Sequence, residues 1–227
     1  MDDPEIPRAE LEASFDFIRL VNRRLGGVAV LRRELEGLRG DWPRDRPLRL
    51  LDLGTGAADL PLASIAWARA RSLEIECVGI DNHPGALDAA RRLAAGEPSL
   101  SLLELDAAKA VDRFGPRSFD LVHAGMFLHH LPDIEVMTTL AAMGRLARTR
   151  LVWNDLHRTA FNAAAIRLLT IGRHPTVRFD AAASVAKGFT LREASELARR
   201  VGLENVRVRR AFAGRFVLTA SGLGDVA

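Results

Sequence analysis

At 227 residues, with 48% hydrophobic and 27% charged side chains, the chain is long enough to bury a full core, and its composition excludes the disordered and fibrous classes. A lone cysteine, Cys77, excludes an intrachain disulfide and a cysteine-built zinc site, and it favours a reducing, cytoplasmic location with no metal. The formal charge is only +3, and the pI near 9.9 arises because the chain has two lysines and no tyrosine, so little titrates near pH 10.

The arginines are spread along the chain rather than gathered into a stripe, so no nucleic-acid partner is expected. The first residues, Met1 to Glu5, are acidic, the opposite of a cationic leader. No apolar run approaches the ~18 residues of a membrane span, because Arg167 and Arg173 interrupt the most apolar stretch.

In chain order, residues 9–38 read as one or two helices. Leu11, Phe15, Ile18 and Leu25 mark an apolar stripe on the first of them, and Asn22 falls on that stripe. A buried Asn must be hydrogen-bonded, which makes it a backbone cap or a contact to a polar ligand. Five strands follow, at Leu48–Leu53, Glu74–Asp81, Leu100–Asp106, Phe119–Ala124 and Arg150–Asp155. Helix-period segments at Ala57–Arg71, Pro84–Ala95 and Ile134–Leu146 separate them. Such alternation predicts a parallel sheet with crossover helices. Near the end, Val206–Phe212 and Arg215–Thr219 read as an antiparallel hairpin turning at Ala213-Gly214.

The whole, 1–227, reads as one α/β domain: a helical lid over 1–45, a cofactor-binding core over 46–156, an acceptor-side insertion over 157–189, and a last helix with the hairpin over 190–227. No crossover needs the residues of 157–189, and additions of that kind often cover a site. Phe161, Ile166, Leu168 and Leu169 in it are expected to pack.

The chemistry concentrates at Asp52-Leu53-Gly54-Thr55-Gly56-Ala57-Ala58-Asp59, where the first strand turns into a helix. Gly54 and Gly56 permit a close backbone approach that side chains would block. Asp81 closes the second strand, where a carboxylate can accept both hydroxyls of a ribose, and Asp106 closes the third, within reach of an adenine amino group. Either acid alone could simply cap the next helix; together with the glycine turn they indicate a nucleoside site. A dinucleotide fingerprint needs glycine where Asp59 stands, and a carboxylate at that helix start repels a pyrophosphate. It tolerates an ammonium or sulfonium.

With the later Phe119-Asp120-Leu121-Val122 and Leu128-His129-His130-Leu131, the set resembles the class I S-adenosylmethionine-dependent methyltransferases, in the small-molecule branch of quinone and secondary metabolism. The resemblance covers residues 48–221 and implies a Rossmann-like, doubly wound, seven-stranded sheet, mostly parallel with an antiparallel last strand. Ala58 stands where a third glycine is common in that family. Residue by residue, it implies that Gly54 and Gly56 pass under the methionine moiety and that Asp81 binds the ribose, with Asn82 beside the adenine. Asp106 and Ala107 would meet the adenine edge. The Ala124 carbonyl would hold the ammonium, with Met126 and His129 nearby, and Asp52 would support the turn.

A hydroxyl acceptor needs a base, which suits a neutral histidine. His157, two residues past Asp155, is the better placed candidate, and His129 or His130 is the other. His83 reads as a structural residue or an adenine neighbour, and His123 as a satisfied core residue. Asn22 and Arg158 are expected to touch the acceptor, and Arg167, Arg173 and Arg178 share the insertion with Arg158. The acceptor is expected to be a phenolic, quinol or polyketide-like small molecule, methylated on oxygen, with S-adenosylhomocysteine as the product. Carbon methylation of such a ring is the alternative, and a non-catalytic cofactor-fold binding protein is the alternative of another class. The chain lacks the Asp/Asn-Pro-Pro-aromatic turn of amino-methylating nucleic-acid enzymes, having Ala124-Gly125-Met126-Phe127 there. A monomer or homodimer fits equally.

Overall fold

The alternating runs build a seven-stranded sheet in the computed structural model, which describes residues 8–172 and 174–223. Two helices come first, α1 (Arg8–Arg24) and α2 (Gly27–Glu36). Strands β1 (Leu48–Leu53), β2 (Ile75–Asp81), β3 (Leu100–Glu104), β4 (Phe119–Gly125) and β5 (Ala147–Leu156) then alternate with helices α3 (Asp59–Arg69), α4 (Pro84–Leu93), α5 (Ala110–Phe114) and α6 (Asp133–Leu146). Helices α7 (Ala160–Leu169), α8 (Pro175–Lys187) and α9 (Leu191–Arg200) follow, and strands β6 (Arg207–Ala211) and β7 (Arg215–Ala220) end the fold.

The order across the sheet is β3-β2-β1-β4-β5-β7-β6. The first five strands pair in parallel, and β7 runs antiparallel to both β5 and β6. This is a Rossmann-like sheet, whose strand order reverses between β1 and β4. Ligands of such sheets sit beyond the strand carboxyl ends at that switch point. Among the described residues no helix is long and apolar enough to cross a membrane.

Both faces of the sheet are covered, so its central strands are almost continuously apolar. Leu50, Leu121, Val152 and Val217 pack with Leu31 and Leu35 of α2 and Trp67 of α3 on one side. Leu51, Val122, Trp153 and Phe216 pack with Leu140 and Met143 of α6 on the other. Cys77 is buried among the first set.

Several boundaries differ from expectation. Helix α3 begins at Asp59 rather than Ala57, because Ala58 adopts a left-handed backbone (φ +59°) that no helix can continue through. Strand β3 stops at Glu104, so Asp106 lies past its end and caps the turn Ala107–Lys109 through its Ala108 N–H. Strand β5 starts three residues early, at Ala147. The hairpin forms, turning over Phe212–Gly214 with Ala213 left-handed. The expected packing of Phe161, Leu168 and Leu169 does not occur. They are 79%, 69% and 55% exposed, because α7 presents that face to no other element, while Ile166 points inward. Arg173 lies outside the described residues.

At the opposite end of the sheet, Asp120 of β4 is buried in a ring of donors. Arg46 grips it through two nitrogens (2.6 and 2.8 Å), Arg148 adds a third contact (2.8 Å), and the Arg49 N–H donates at 2.9 Å. Burial alone would raise its pKa, but these donors outweigh that and hold it down at about 2. Stability from a depressed carboxylate is full above its unfolded value and is lost as pH falls through the folded one. Asp120→Asn is therefore expected to destabilise the fold by about 1–2 kcal/mol at pH 7, a figure discounted for the half-exposed arginines. In chemical denaturation the gap from the parent should close as pH falls from about 4 toward 2; a gap independent of pH would disprove the assignment.

Candidate functional site

The glycine turn is built on buried acids. Asp52 near the end of β1 accepts the Thr55 hydroxyl (2.8 Å), and its other oxygen meets His123 Nδ1 (2.6 Å). Asp52 is thus a support beneath the turn, and His123 is a core histidine bound to it. Gly54 (φ +62°) and Gly56 (φ +55°) carry the chain over this base. A Cβ at Gly54 would run into the Phe127 ring, so only glycine fits there. Ala58, standing where a third glycine is common, takes the left-handed conformation at a cost of about 1–2 kcal/mol.

Asp81, at the end of β2, faces the same turn. One oxygen accepts the Gly56 N–H and the other the His83 N–H, each at 2.9 Å. Burial raises its pKa against those two bonds. Each oxygen keeps a free lone pair, so the carboxylate can still receive a pair of hydroxyls. His83 caps α4, its Nδ1 accepting the Gly85 N–H at 3.1 Å. Asn82 is exposed beside Asp81.

Two chambers of about 270 Å³ each meet at this point. Both are bordered by Gly54, Asp81, Asn82, Phe127 and Leu131. One extends past Asp106 and Ala107, the other past Gly56, Asp59 and Met126. Ala124 is fully buried within the sheet, and the wall at the end of β4 comes instead from the next two residues, Gly125 and Met126. Met126 is left-handed (φ +57°), its N–H donating to the Asn154 carbonyl at 2.9 Å.

Helix α1 closes this cleft with Phe15, Ile18, Arg19 and Asn22. Asn22, expected at the acceptor, lies in the wall of this cleft with both ends of its amide engaged. Its Nδ2 donates to Asp59 (3.1 Å), and its Oδ1 accepts from Arg215 Nη2 (2.9 Å). Arg215 also donates to the Leu25 carbonyl at 3.0 Å. It is wholly buried, which pushes its pKa down to about 10 against the attraction of Asp155 and Asp59. Burial raises the Asp59 carboxyl, with the Asn22 bond opposing.

A second cavity, of about 110 Å³, adjoins the cleft, with Ile18 and Met126 facing both. Its walls are mainly apolar, including Phe17 and Val21 of α1, Ile166 of α7 and Val177 of α8. At its base sits His129, on the short turn Leu128–His130 after β4. His129 Nδ1 lies 2.6 Å from Asp155 Oδ1. Asp155 further accepts from Trp153 Nε1 (3.1 Å), from the Leu156 N–H (2.8 Å) and from the His129 N–H (3.3 Å). Burial alone would raise the Asp155 carboxyl; the imidazole and these donors overcome it and hold it below the usual range. A carboxylate at Nδ1 fixes the proton there and leaves Nε2 as the basic nitrogen. That Nε2 is buried and has no hydrogen-bond partner.

The sequence spacing Asp155-x-His157 does not form a dyad. Asp155 turns to His129, whereas His157 bonds through its backbone to Gly214 (2.8 Å) and lines neither chamber nor the second cavity. Its pKa is lowered by burial and then by Arg210. Arg158 pairs with Glu193 at the exposed start of α9. It does not line the second cavity but borders a surface depression that shares His129, His130 and Lys187 with it.

Residues 50–150 match the family model described as a methyltransferase domain. No curated protein sequence matches the chain. Among solved structures, the CMeT domain of the citrinin polyketide synthase superposes with TM-score 0.68 at 14% identity, over 86% of this chain and 52% of that one. The CurJ carbon methyltransferase gives 0.65 at 14% identity, over 87% and 54%. The Synechocystis magnesium protoporphyrin IX methyltransferase with bound S-adenosylhomocysteine gives 0.56 at 19% identity, over 87% and 84%. The chain thus spans about half the length of the first two. Family match and fold agree: residues 50–150 match a methyltransferase domain, and the fold is shared with solved methyltransferases.

Proposed function

We propose that the protein uses S-adenosylmethionine to methylate the hydroxyl of a small phenolic, quinol or polyketide-like acceptor, releasing S-adenosylhomocysteine. The observation that carries this reading is His129 Nε2, buried and unpartnered in an apolar cavity that shares a wall with the nucleoside cleft. When bound, the cofactor supplies a methyl group already activated on a sulfonium.

The residues present fit that group. Gly54 has no room for a side chain, and Asp59 sets a carboxylate where a cation is welcome and a pyrophosphate is not. Asp81 and Asn82 would hold the ribose and adenine, and Asp106 with Ala107 the far edge of the base. The β4 end, Ala124 to Met126, would receive the ammonium. Across the shared wall His129 Nε2 takes the proton of the acceptor hydroxyl, and Asp155 stabilises the imidazolium that results. Alignment in an apolar, water-poor cavity supplies much of the remaining acceleration. His157 and Arg158 keep no part in this reading, since neither lines the cavity. Carbon methylation of the same ring is the second reading, favoured by the likeness of the fold to a carbon methyltransferase.

The test is incubation with methyl-labelled cofactor and a panel of phenols, with the products read by NMR. A labelled methoxy resonance is expected. A labelled ring-carbon methyl would select the second reading, and no transfer alongside retained S-adenosylhomocysteine binding would select a non-catalytic binding protein. Calorimetry should show Asp81→Ala weakening S-adenosylhomocysteine about 10- to 100-fold, the worth of hydrogen bonds to a charged group; unchanged affinity would remove Asp81 from the ribose. His129→Asn should lower kcat by roughly 10²–10⁴ while leaving S-adenosylhomocysteine affinity within threefold. The loss should shrink for acidic nitrophenols, which ionise unaided. An equal loss for every phenol would reject the base.

A further inference from the structure

A serine within a helix ordinarily returns its hydroxyl to the carbonyl four residues back. Ser64, Thr138 and Thr170 do so here, at 2.9, 2.9 and 2.8 Å. Ser14 of α1 does not. It is only 5% exposed, and its Oγ has no hydrogen-bond partner. It lines the same apolar cavity as His129, whose Nε2 is likewise buried and unpartnered. The other polar residues around that cavity are His130, on the same turn as His129, and Asp180, Ser184 and Lys187 of α8; all four are half-buried or exposed.

A buried polar atom without a partner destabilises a protein, so two residues that carry such atoms and line one apolar cavity mark polar contacts that its occupant provides. At about 110 Å³ the cavity is smaller than the ~150 Å³ apolar cavity that takes up benzene, so it admits one ring at most. Resting on the acceptor reading above, we infer that Ser14 is a specificity-determining residue. It hydrogen-bonds a second polar group, a ring carbonyl or hydroxyl, on an acceptor whose reacting hydroxyl faces His129. The acceptor class is thereby narrowed from phenols at large to small rings with two separated polar substituents. Ser14 takes no part in proton transfer.

The experiment uses the full chain saturated with S-adenosylhomocysteine. It measures by calorimetry the affinities of 2-, 3- and 4-hydroxyacetophenone and of the three matching ethylphenols, which lack the carbonyl. In the parent, one hydroxyacetophenone is expected to bind about fivefold tighter than its ethylphenol, in line with one neutral hydrogen bond. Ser14→Ala should erase that preference while leaving the ethylphenols unchanged. Removing the orphaned hydroxyl should also raise the melting temperature of the ligand-free protein by roughly 2–4 °C. A preference that survives in Ser14→Ala, or equal affinity of every pair in the parent, overturns the role of Ser14 while leaving the acceptor cavity standing. If neither set binds, the acceptor reading itself falls and the inference falls with it.

Discussion

A carboxylate removed from water must find a hydrogen bond for each oxygen, and three of them do so along one edge of this sheet. Asp52, Asp81 and Asp155 sit at the carboxyl ends of β1, β2 and β5, and each spends its oxygens on the loops around it. Asp52 holds the Thr55 hydroxyl and the His123 ring; Asp81 holds the backbone of Gly56 and His83; Asp155 holds His129, Trp153 and Leu156. Strand ends are the natural place for such anchors, because the sheet fixes the acid while the following loop is free to fold onto it. The loops of the site are therefore held before any ligand arrives, which is what preorganisation requires.

That dependence explains which parts of the site the amino-acid sequence discloses. The glycine turn, Asp52 and Asp81 are legible because strand, turn and helix start lie within a few residues and the alternation of strands supplies the rest. Asp155 is visible as a strand-end acid, but its partner is not. The dyad joins residues 26 apart, one on β5 and one on the turn after the adjacent β4, and which histidine it takes depends on the register that sets Gly125 beside Asn154. The nearer His157, two residues along, is the obvious neighbour by spacing and the wrong one in space. Asn22 was readable as a buried polar group from its place on an apolar stripe. Its partners, 37 and 193 residues away on α3 and β7, follow only from how α1 lies across the sheet edge. Phe161, Leu168 and Leu169 failed for a related reason: an apolar helix face predicts burial only if another element comes to meet it.

Part of the local strain lies at the same edge, although Ser72, Arg117 and Asn205 are left-handed in turns that lead into β2, β4 and β6. Ala58 and Met126 are both left-handed without being glycine, and both stand beside the cleft. Neither position gains from its own backbone conformation. Ala58 turns the chain into α3, and Met126 is pinned by the Asn154 carbonyl at the point where β4 gives way to the turn bearing His129. A conformation that disfavours itself persists only where its surroundings over-determine it, and such places gather at functional sites.

Helix α1 is one wall shared by two rooms. Ile18 and Met126 line both cavities, and Asn22 ties the helix to Asp59 of the first room and to the buried Arg215 of β7. Any ordering of that wall by an occupant of one room is felt in the other, and thermodynamic linkage makes the effect equal in both directions. Occupants of the two rooms would in that sense be each other's effectors, joined by a single helix and without need of a second subunit.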